Sequence, residues 1–248
     1  MIRELLLVRH GESTANVAAT AAEEDGSETV DVDERDADVP LSDRGVEQAR
    51  ALGSWVADLG LDGPDGARTA VWVSPYLRAR QTLRAALDEA GADVTVHVDE
   101  RLRDRELGVL DLLTRRGVEA RHPDEEARRR RLGKFYHRPP GGESWADVAL
   151  RVRSLLRDLD ALPDVDRVLV TAHDAVIMLV VYVCTGLDEA DLLEFARGNT
   201  VTNASVTTLR LDEGAAWWTL VRFADVDHLS EEHAPVTTHE GDRDVRPR

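Results

Sequence analysis

Leu7-Val8-Arg9-His10-Gly11-Glu12-Ser13-Thr14-Ala15-Asn16 is the stretch from which the fold is read. The apolar run at 5–8 hands an Arg-His pair to a glycine, which is the pattern of a buried strand ending at a loop. In open α/β sheets such strand ends are where ligands bind. Arg9 brings a planar fork of donors suited to phosphate, and His10 a side chain able to serve as nucleophile or proton carrier near neutral pH. Gly11 is expected to let the backbone approach a ligand closely. Arg-His-Gly alone also fits the end of an ordinary strand, so the rest of the chain has to decide.

Outward from this strand, positions 17–39 are small and acidic, from Glu23 to Asp38, and read as a solvated, mobile loop near the mouth of a site. A calcium loop is excluded there because the turn glycine and the terminal glutamate are absent from the required offsets. Apolar residues at Val46, Ala49, Leu52, Trp55, Val56 and Leu59 predict a helix over 43–59, with Ser42 as N-cap and Gly60 at its end. A short buried strand at 70–73, Ser74-Pro75, a helix through Ala90 carrying Arg78 near its start, and a strand at 94–98 follow. Residues 102–133 are polar and charged and predict an irregular excursion with one or two helices. The clearest helical stripe starts after Ser144 and runs through Trp145, Val148, Ala149, Val152, Leu155, Leu156, Leu159 and Leu162. The strand at 168–171 delivers His173 just past its end. A helix through Val183, a shorter one at 189–196 and a hairpin pairing 205–211 with 217–223 complete the pattern. Strands alternating with helices predict an α/β fold, a three-layer sandwich with a mostly parallel central sheet and helices on both faces.

The 248 residues, 42% of them hydrophobic, are enough for one large core, and 1–228 read as one catalytic domain. Positions 229–248, nearly devoid of apolar residues, read as a disordered tail. No apolar run reaches spanning length and no signal-peptide pattern opens the chain, so a cytoplasmic protein without membrane association is expected. A formal charge of −17, from 48 acidic against 31 basic residues, argues against nucleic acid and anionic membrane as partners. An anionic small molecule remains compatible, because a few converging arginines set the local field once screening removes distant charge. A homodimer is compatible with the sequence but not indicated by it. The single cysteine, Cys184, lies in an apolar run and is expected to pack in the core.

Two strands thus end in histidines, His10 and His173, and two arginines, Arg9 and Arg78, stand at strand and helix ends that an α/β sheet can bring together. That set suits phosphoryl transfer, with an imidazole attacking phosphorus, cations holding the equatorial oxygens and an acid protonating the departing oxygen. The same residues resemble the histidine phosphatase superfamily, which includes cofactor-dependent phosphoglycerate mutases, bisphosphatases and broad phosphatases. Arg9-His10-Gly11-Glu12-Ser13 with Asn16 is similar to the family's nucleophile motif. Pro40-Leu41-Ser42 with Arg44-Gly45 and Gln48-Ala49 is similar to its second block, and Ser74-Pro75-Tyr76-Leu77-Arg78-Ala79-Arg80-Gln81-Thr82 to its third. Pro140-Gly141-Gly142-Glu143-Ser144 with Asp147-Val148 and Arg151-Val152, the strand leading to His173, and Asn203-Ala204-Ser205-Val206 continue the match in order.

The resemblance implies a phosphoglycerate mutase-like fold, a phosphohistidine on His10, and a phosphate clamp of Arg9, Arg78 and His173. It places Ser13 and Asn16 as substrate contacts at the mouth. The acid of the family's Leu-x-Glu-x-x-x-Gly pattern falls on Asp104 within Leu102-Arg103-Asp104-Arg105-Glu106-Leu107-Gly108, with Glu106 as the alternative acid or a substrate contact. Asp104 is one methylene shorter than the usual glutamate. Asp174, where the family most often has glycine, is read as a cap of the following helix, with a place beside the substrate as the alternative.

The activity implied is a phosphomonoesterase of the histidine acid phosphatase type, acting on a small-molecule phosphate ester and requiring no cofactor. The alternative is a cofactor-dependent phosphoglycerate mutase. The segments at 13–15 and 109–114 differ from the mutases' and favour hydrolysis. A non-catalytic phospho-ligand binder would be expected to lack the nucleophile or the clamp, and all four residues are present. Arg128 to Arg131 follow Asp124, Glu125 and Glu126 and predict pairing within a helix. Lys134, Tyr136, His137 and Arg138 are read either as substrate contacts or as a structural loop. His228, His233 and His239 follow no zinc spacing, so no metal is assigned.

Overall fold

Strand β1 (Glu4–Arg9) points Leu5 and Leu7 to one side of the sheet and Leu6 and Val8 to the other, and each pair enters a different core. The computed structural model describes residues 2–61 and 68–239. After β1 come α1 (Thr14–Asp25), α2 (Asp43–Asp58), β2 (Thr69–Val73), α3 (Leu77–Ala90) and β3 (Val96–Val98). Then follow α4 (Arg115–Arg121), α5 (Pro123–Tyr136), α6 (Trp145–Asp160), β4 (Arg167–Ala172), α7 (Asp174–Thr185) and α8 (Glu189–Gly198). The hairpin β5 (Val206–Arg210) and β6 (Thr219–Asp225) and the short α9 (Asp227–Glu231) complete the order.

The strands form one sheet in the order β3-β2-β4-β1-β5-β6. β3, β2, β4 and β1 run parallel, whereas β5 and β6 are antiparallel additions at one edge. One face is covered by α6 and α7. On α6 the stripe Trp145, Val148, Ala149, Val152, Leu155 and Leu159 is buried. Each large apolar side chain in it is worth about 1.5–3 kcal/mol of burial. The other face is covered by α2 and α3, which pack Leu52, Val56, Leu83 and Leu87 against Val71 and Val73. Cys184 sits in the first core, and burial pushes its thiol up to about 12, so it behaves as a small hydrophobe. Among the described residues no helix is long and apolar enough to cross a membrane.

Two expectations are corrected. Residues 17–39 are not a mobile loop: most of the first half continues α1, and Asp36–Asp38 form a 3-10 turn that reaches the site. The low hydrophobicity of α1 hides it from pattern reading, and its start is fixed instead by Ser13 and Asn16, which cap it reciprocally. Gly11 serves a close backbone contact within the fold. A side chain on it would meet the Gly45 carbonyl oxygen at 2.6 Å, and one on Gly45 would meet that of Glu12 at 1.9 Å, so β1's loop and the start of α2 touch backbone to backbone.

The tail is the second correction. Residues up to His239 are seated on the body by backbone carbonyls and polar side chains, which composition does not reveal. Gln48 Nε2 donates to the Pro235 carbonyl (2.9 Å) and Thr237 Oγ1 (2.8 Å), and Asn203 N donates to the Thr237 carbonyl (3.2 Å). Leu229 is fully buried beside Ala51 and Ala204. The rest of the expected tail, 240–248, lies outside the described residues.

Candidate active site

Register brings the two histidines together. β1 and β4 pair with Arg9 opposite Ala172, so His10 and His173 are the next residues on adjacent parallel strands, and His10 N donates to the Ala172 carbonyl (3.0 Å). Their rings lie 5.1 Å apart, centroid to centroid. β2 ends level with them, and Arg78, the second residue of α3, projects from the same end of the sheet. His10 and the three residues of the expected clamp are therefore gathered at the carboxyl ends of the parallel strands, and all are buried.

Hydrogen bonds fix what each imidazole can do. His10 Nδ1 lies 2.7 Å from the Gly11 carbonyl, which can only accept, so the proton is on Nδ1 and the lone pair on Nε2 is free to attack. Burial, reinforced by Arg78, His173 and Arg9, holds the His10 imidazole well below its ordinary value, so it is neutral at pH 7. His173 is likewise lowered by burial, against the pull of Asp104. Ser74 Oγ is 2.8 Å from His173 Nε2, while Nδ1 lies 3.2 Å from Asp104 Oδ2. A carboxylate beside Nδ1 keeps the proton there, and Ser74 donates to Nε2.

The two carboxylates are placed differently. Asp104 Oδ2 is 3.0 Å from Arg78 Nη2, and ligand atoms of His10, Asp104 and His173 lie within 4.8 Å of one another. Glu106 turns away, accepting the Tyr76 hydroxyl at 2.8 Å. Burial raises the Asp104 carboxyl, but His173, Arg78 and His10 outweigh it and hold the group well below the usual range. Such a trio could in principle bind a cation. Two guanidinium groups beside it oppose a dication and favour an anion.

Two groups that pattern reading missed complete the clamp's surroundings. Asp36 lays its carbonyl (2.6 Å) and carboxylate (2.9 Å) on Arg78 Nη1, and burial raises its carboxyl. It carried no signal, being one of many acids in its segment. Arg9 donates through Nη1 to the Val201 carbonyl and through Nη1 and Nη2 to the His239 carbonyl (3.3 Å each). His239 Nε2 lies 2.8 Å from Glu12 Oε2, and Ser42 Oγ donates to Glu12 Oε1 (2.6 Å), so Glu12 ties the tail to α2. At the clamp, Arg9 Nε is a buried donor without a hydrogen-bond partner. Buried donors in that state call for an acceptor.

The remaining candidates are placed as follows. Ser13 and Asn16 hydrogen-bond each other across the start of α1, with Asn203 Nδ2 3.4 Å from Asn16 Oδ1. Asp174 is the first residue of α7, whose N-cap is His173 itself. Its carboxylate accepts from Ala175 N (2.7 Å), and its charge favours the Arg9 cation. Of the 134–138 group, residues 134–136 close α5; Arg138 pairs with Asp147 (2.6 Å), His137 with Glu125 (3.1 Å), and Lys134 lies over the Trp145 ring (4.7 Å). Arg128 and Arg130 pair with Glu125 and Glu126 along α5, as the charge pattern predicts.

Known proteins resemble this chain in sequence and fold. Residues 5–226 match the family described as the histidine phosphatase superfamily, branch 1. The protein named probable phosphoglycerate mutase GpmB from Erwinia tasmaniensis is 28% identical over 233 residues, covering 92% of this chain and 95% of that one. A structure of mycobacterial glucosyl-3-phosphoglycerate phosphatase with inorganic phosphate aligns with a TM-score of 0.67 at 26% identity, over 91% of this chain and 99% of that one. The alpha-ribazole phosphatase from Shigella flexneri, at 22% identity and a TM-score of 0.69 over 90% and 96% of the two chains, shares the fold.

Proposed function

This chain belongs to the histidine phosphatase superfamily, branch 1, and from that premise we propose that it hydrolyses small organic phosphate monoesters through a phosphohistidine on His10. The observation that carries the reading is a neutral imidazole with its Nε2 lone pair free, beside a buried guanidinium donor, Arg9 Nε, that lacks an acceptor. A phosphoryl group supplies that acceptor. On binding, its oxygens replace the Asp36 contacts on Arg78 and meet Arg9 and His173.

His10 Nε2 attacks phosphorus; the N–P bond forms as the P–O bond to the alcohol breaks, and the departing oxygen takes a proton from Asp104. Water then attacks phosphorus, Asp104 takes its proton back, the N–P bond breaks and inorganic phosphate leaves. In the free enzyme Asp104 is ionised, so the proton enters with the substrate, as a phosphate monoanion, and passes through Asp104. A small-molecule phosphate ester as partner and a cytoplasmic location belong to the same proposal.

A substrate panel separates this from the mutase reading suggested by the name of the Erwinia relative. Phosphate release from aryl and alkyl phosphates is expected. From 3-phosphoglycerate, phosphate release without isomer formation is expected, with or without a bisphosphoglycerate primer. Primer-dependent formation of 2-phosphoglycerate exceeding phosphate release would replace hydrolysis by mutation.

The pH dependence follows from the same groups. His10 must be neutral, and since it is held well below its usual value the nucleophile persists through the weakly acidic range. The proton arrives on a phosphate monoanion, whose abundance falls above the second phosphate pKa of about 6. For an alkyl phosphate, kcat/KM should therefore be highest below neutrality and decline at higher pH. An acidic limb centred near 6.5 in the pH profile would show a histidine of ordinary basicity and contradict the buried, cation-flanked placement.

A further inference from the structure

Asp104 lies in a loop, not in a helix or a sheet ladder, so its backbone needs some other support. Residues 104–107 have no regular secondary structure, and the 3-10 turns at Glu100–Leu102 and Gly108–Leu110 leave this stretch between them. Its support comes from two charged side chains outside the chemistry. Glu143 and Arg151 are mutually paired, with Arg151 Nε 3.0 Å from Glu143 Oε1 and Nη2 3.1 Å from Oε2, their side chains only 11% and 9% exposed. Arg103 adds a second cation on Glu143 Oε1, at 2.5 Å.

A buried ion pair is weak support for stability in itself, since desolvation offsets much of the attraction. What distinguishes this pair is where its remaining hydrogen bonds go. Arg151 Nη1 donates to the Arg101 carbonyl (2.6 Å), and Nη2 to the carbonyl of Asp104 itself (3.1 Å). Glu143 Oε2 accepts from Glu106 N (3.2 Å), and the Glu143 backbone completes the grip through its N–H to the Glu106 carbonyl (2.8 Å) and its carbonyl from Arg105 Nε (2.8 Å). The backbone is thus held before Asp104, at it and after it. The glycines that precede Glu143 allow this approach, because a side chain on Gly142 would meet the Glu106 carbonyl oxygen at 2.6 Å.

Reach makes that grip consequential. With one methylene fewer than glutamate, Asp104 cannot compensate for a displaced backbone by extending its side chain. A misplacement of about 1 Å can cost on the order of 10²-fold in rate. We propose that Glu143 and Arg151 are positioning residues that set the Asp104 carboxyl against the leaving-group oxygen. The proposal rests on the phosphatase reading and on Asp104 as its acid, and it concerns how that acid is placed.

The test compares two substrates in the full-length protein. 2,4-Dinitrophenyl phosphate has a leaving group that departs without a proton, whereas glycerol phosphate needs one. In Glu143→Gln and in Arg151→Lys, kcat/KM for glycerol phosphate is expected to fall by about 10- to 100-fold, while that for the dinitrophenyl ester stays within about threefold of wild type. Adding Glu143→Gln to Asp104→Asn is expected to cost little more on glycerol phosphate than Asp104→Asn alone, because a positioning residue has nothing left to position.

Equal losses on both esters, no loss on either, or additive losses in the double variant would overturn the proposal. Arg151→Lys keeps the charge on Glu143 while losing the fork, so it serves if Glu143→Gln fails to fold. Failure of the underlying reading has a different signature: wild-type protein would release no phosphate from the dinitrophenyl ester.

Discussion

His10→Ala is expected to lower kcat on every phosphate ester by roughly four to six orders of magnitude, leaving only what binding and the clamp provide. The reason is positional. Nε2 of His10 is the nitrogen left with a free lone pair, because Nδ1 is committed as a donor to the Gly11 carbonyl (2.7 Å). His173 cannot substitute, since its Nε2 is engaged by Ser74 at 2.8 Å and its Nδ1 carries the proton facing Asp104. The intermediate gives an independent readout. A phosphoramidate survives alkali and is lost in acid, so quenching the wild-type reaction in base should trap label on protein and quenching in acid should not. The variant should trap none. Base-stable label on His10→Ala would mean that another residue is the nucleophile. Phosphate release equal to wild type would mean that the chemistry lies elsewhere.

The second large effect is on the acid. Asp104→Asn should lower kcat/KM for an alkyl phosphate by about 10²- to 10⁴-fold, the usual contribution of a positioned proton donor. It should leave an activated aryl phosphate far less affected. Asparagine keeps the shape and a hydrogen bond to Arg78 but cannot give up a proton. Glu106→Gln is the counterpart: its carboxylate is turned to the Tyr76 hydroxyl, so a change within about threefold is expected on either substrate. If Glu106→Gln showed the leaving-group-dependent loss and Asp104→Asn did not, the assignment of the acid would be reversed. Asp104→Asn also removes a carboxylate from Arg78, so tighter binding of inorganic phosphate is a further expectation, readable as a lower product-inhibition constant.

Residue patterns reveal a large share of this site because its key groups stand at strand ends. Leu5 to Val8 and Val168 to Thr171 declare two buried strands, and the residue that follows each marks a place where ligands collect. The helix stripes of α2, α3 and α6 are equally plain, since burial of one face repeats at the helical period. What pattern reading misses has a common cause. α1 is too weakly amphipathic to announce itself and begins at a reciprocal side-chain cap. The segment through His239 carries few apolar residues, yet it is held by hydrogen bonds to its carbonyls, including those from Arg9, which any sequence possesses.

Which residues could perform phosphoryl transfer was determined locally, by apolar periodicity and by the residue types placed at the ends of two strands. Tertiary structure alone decided three things: that register sets the two histidines beside each other, that Asp104 and not Glu106 faces them, and that Asp36 and the tail reach the arginines. The physical reason is that periodicity reports which face of an element is buried. The distances, burial and backbone acceptors that set protonation states arise only between elements far apart in the chain.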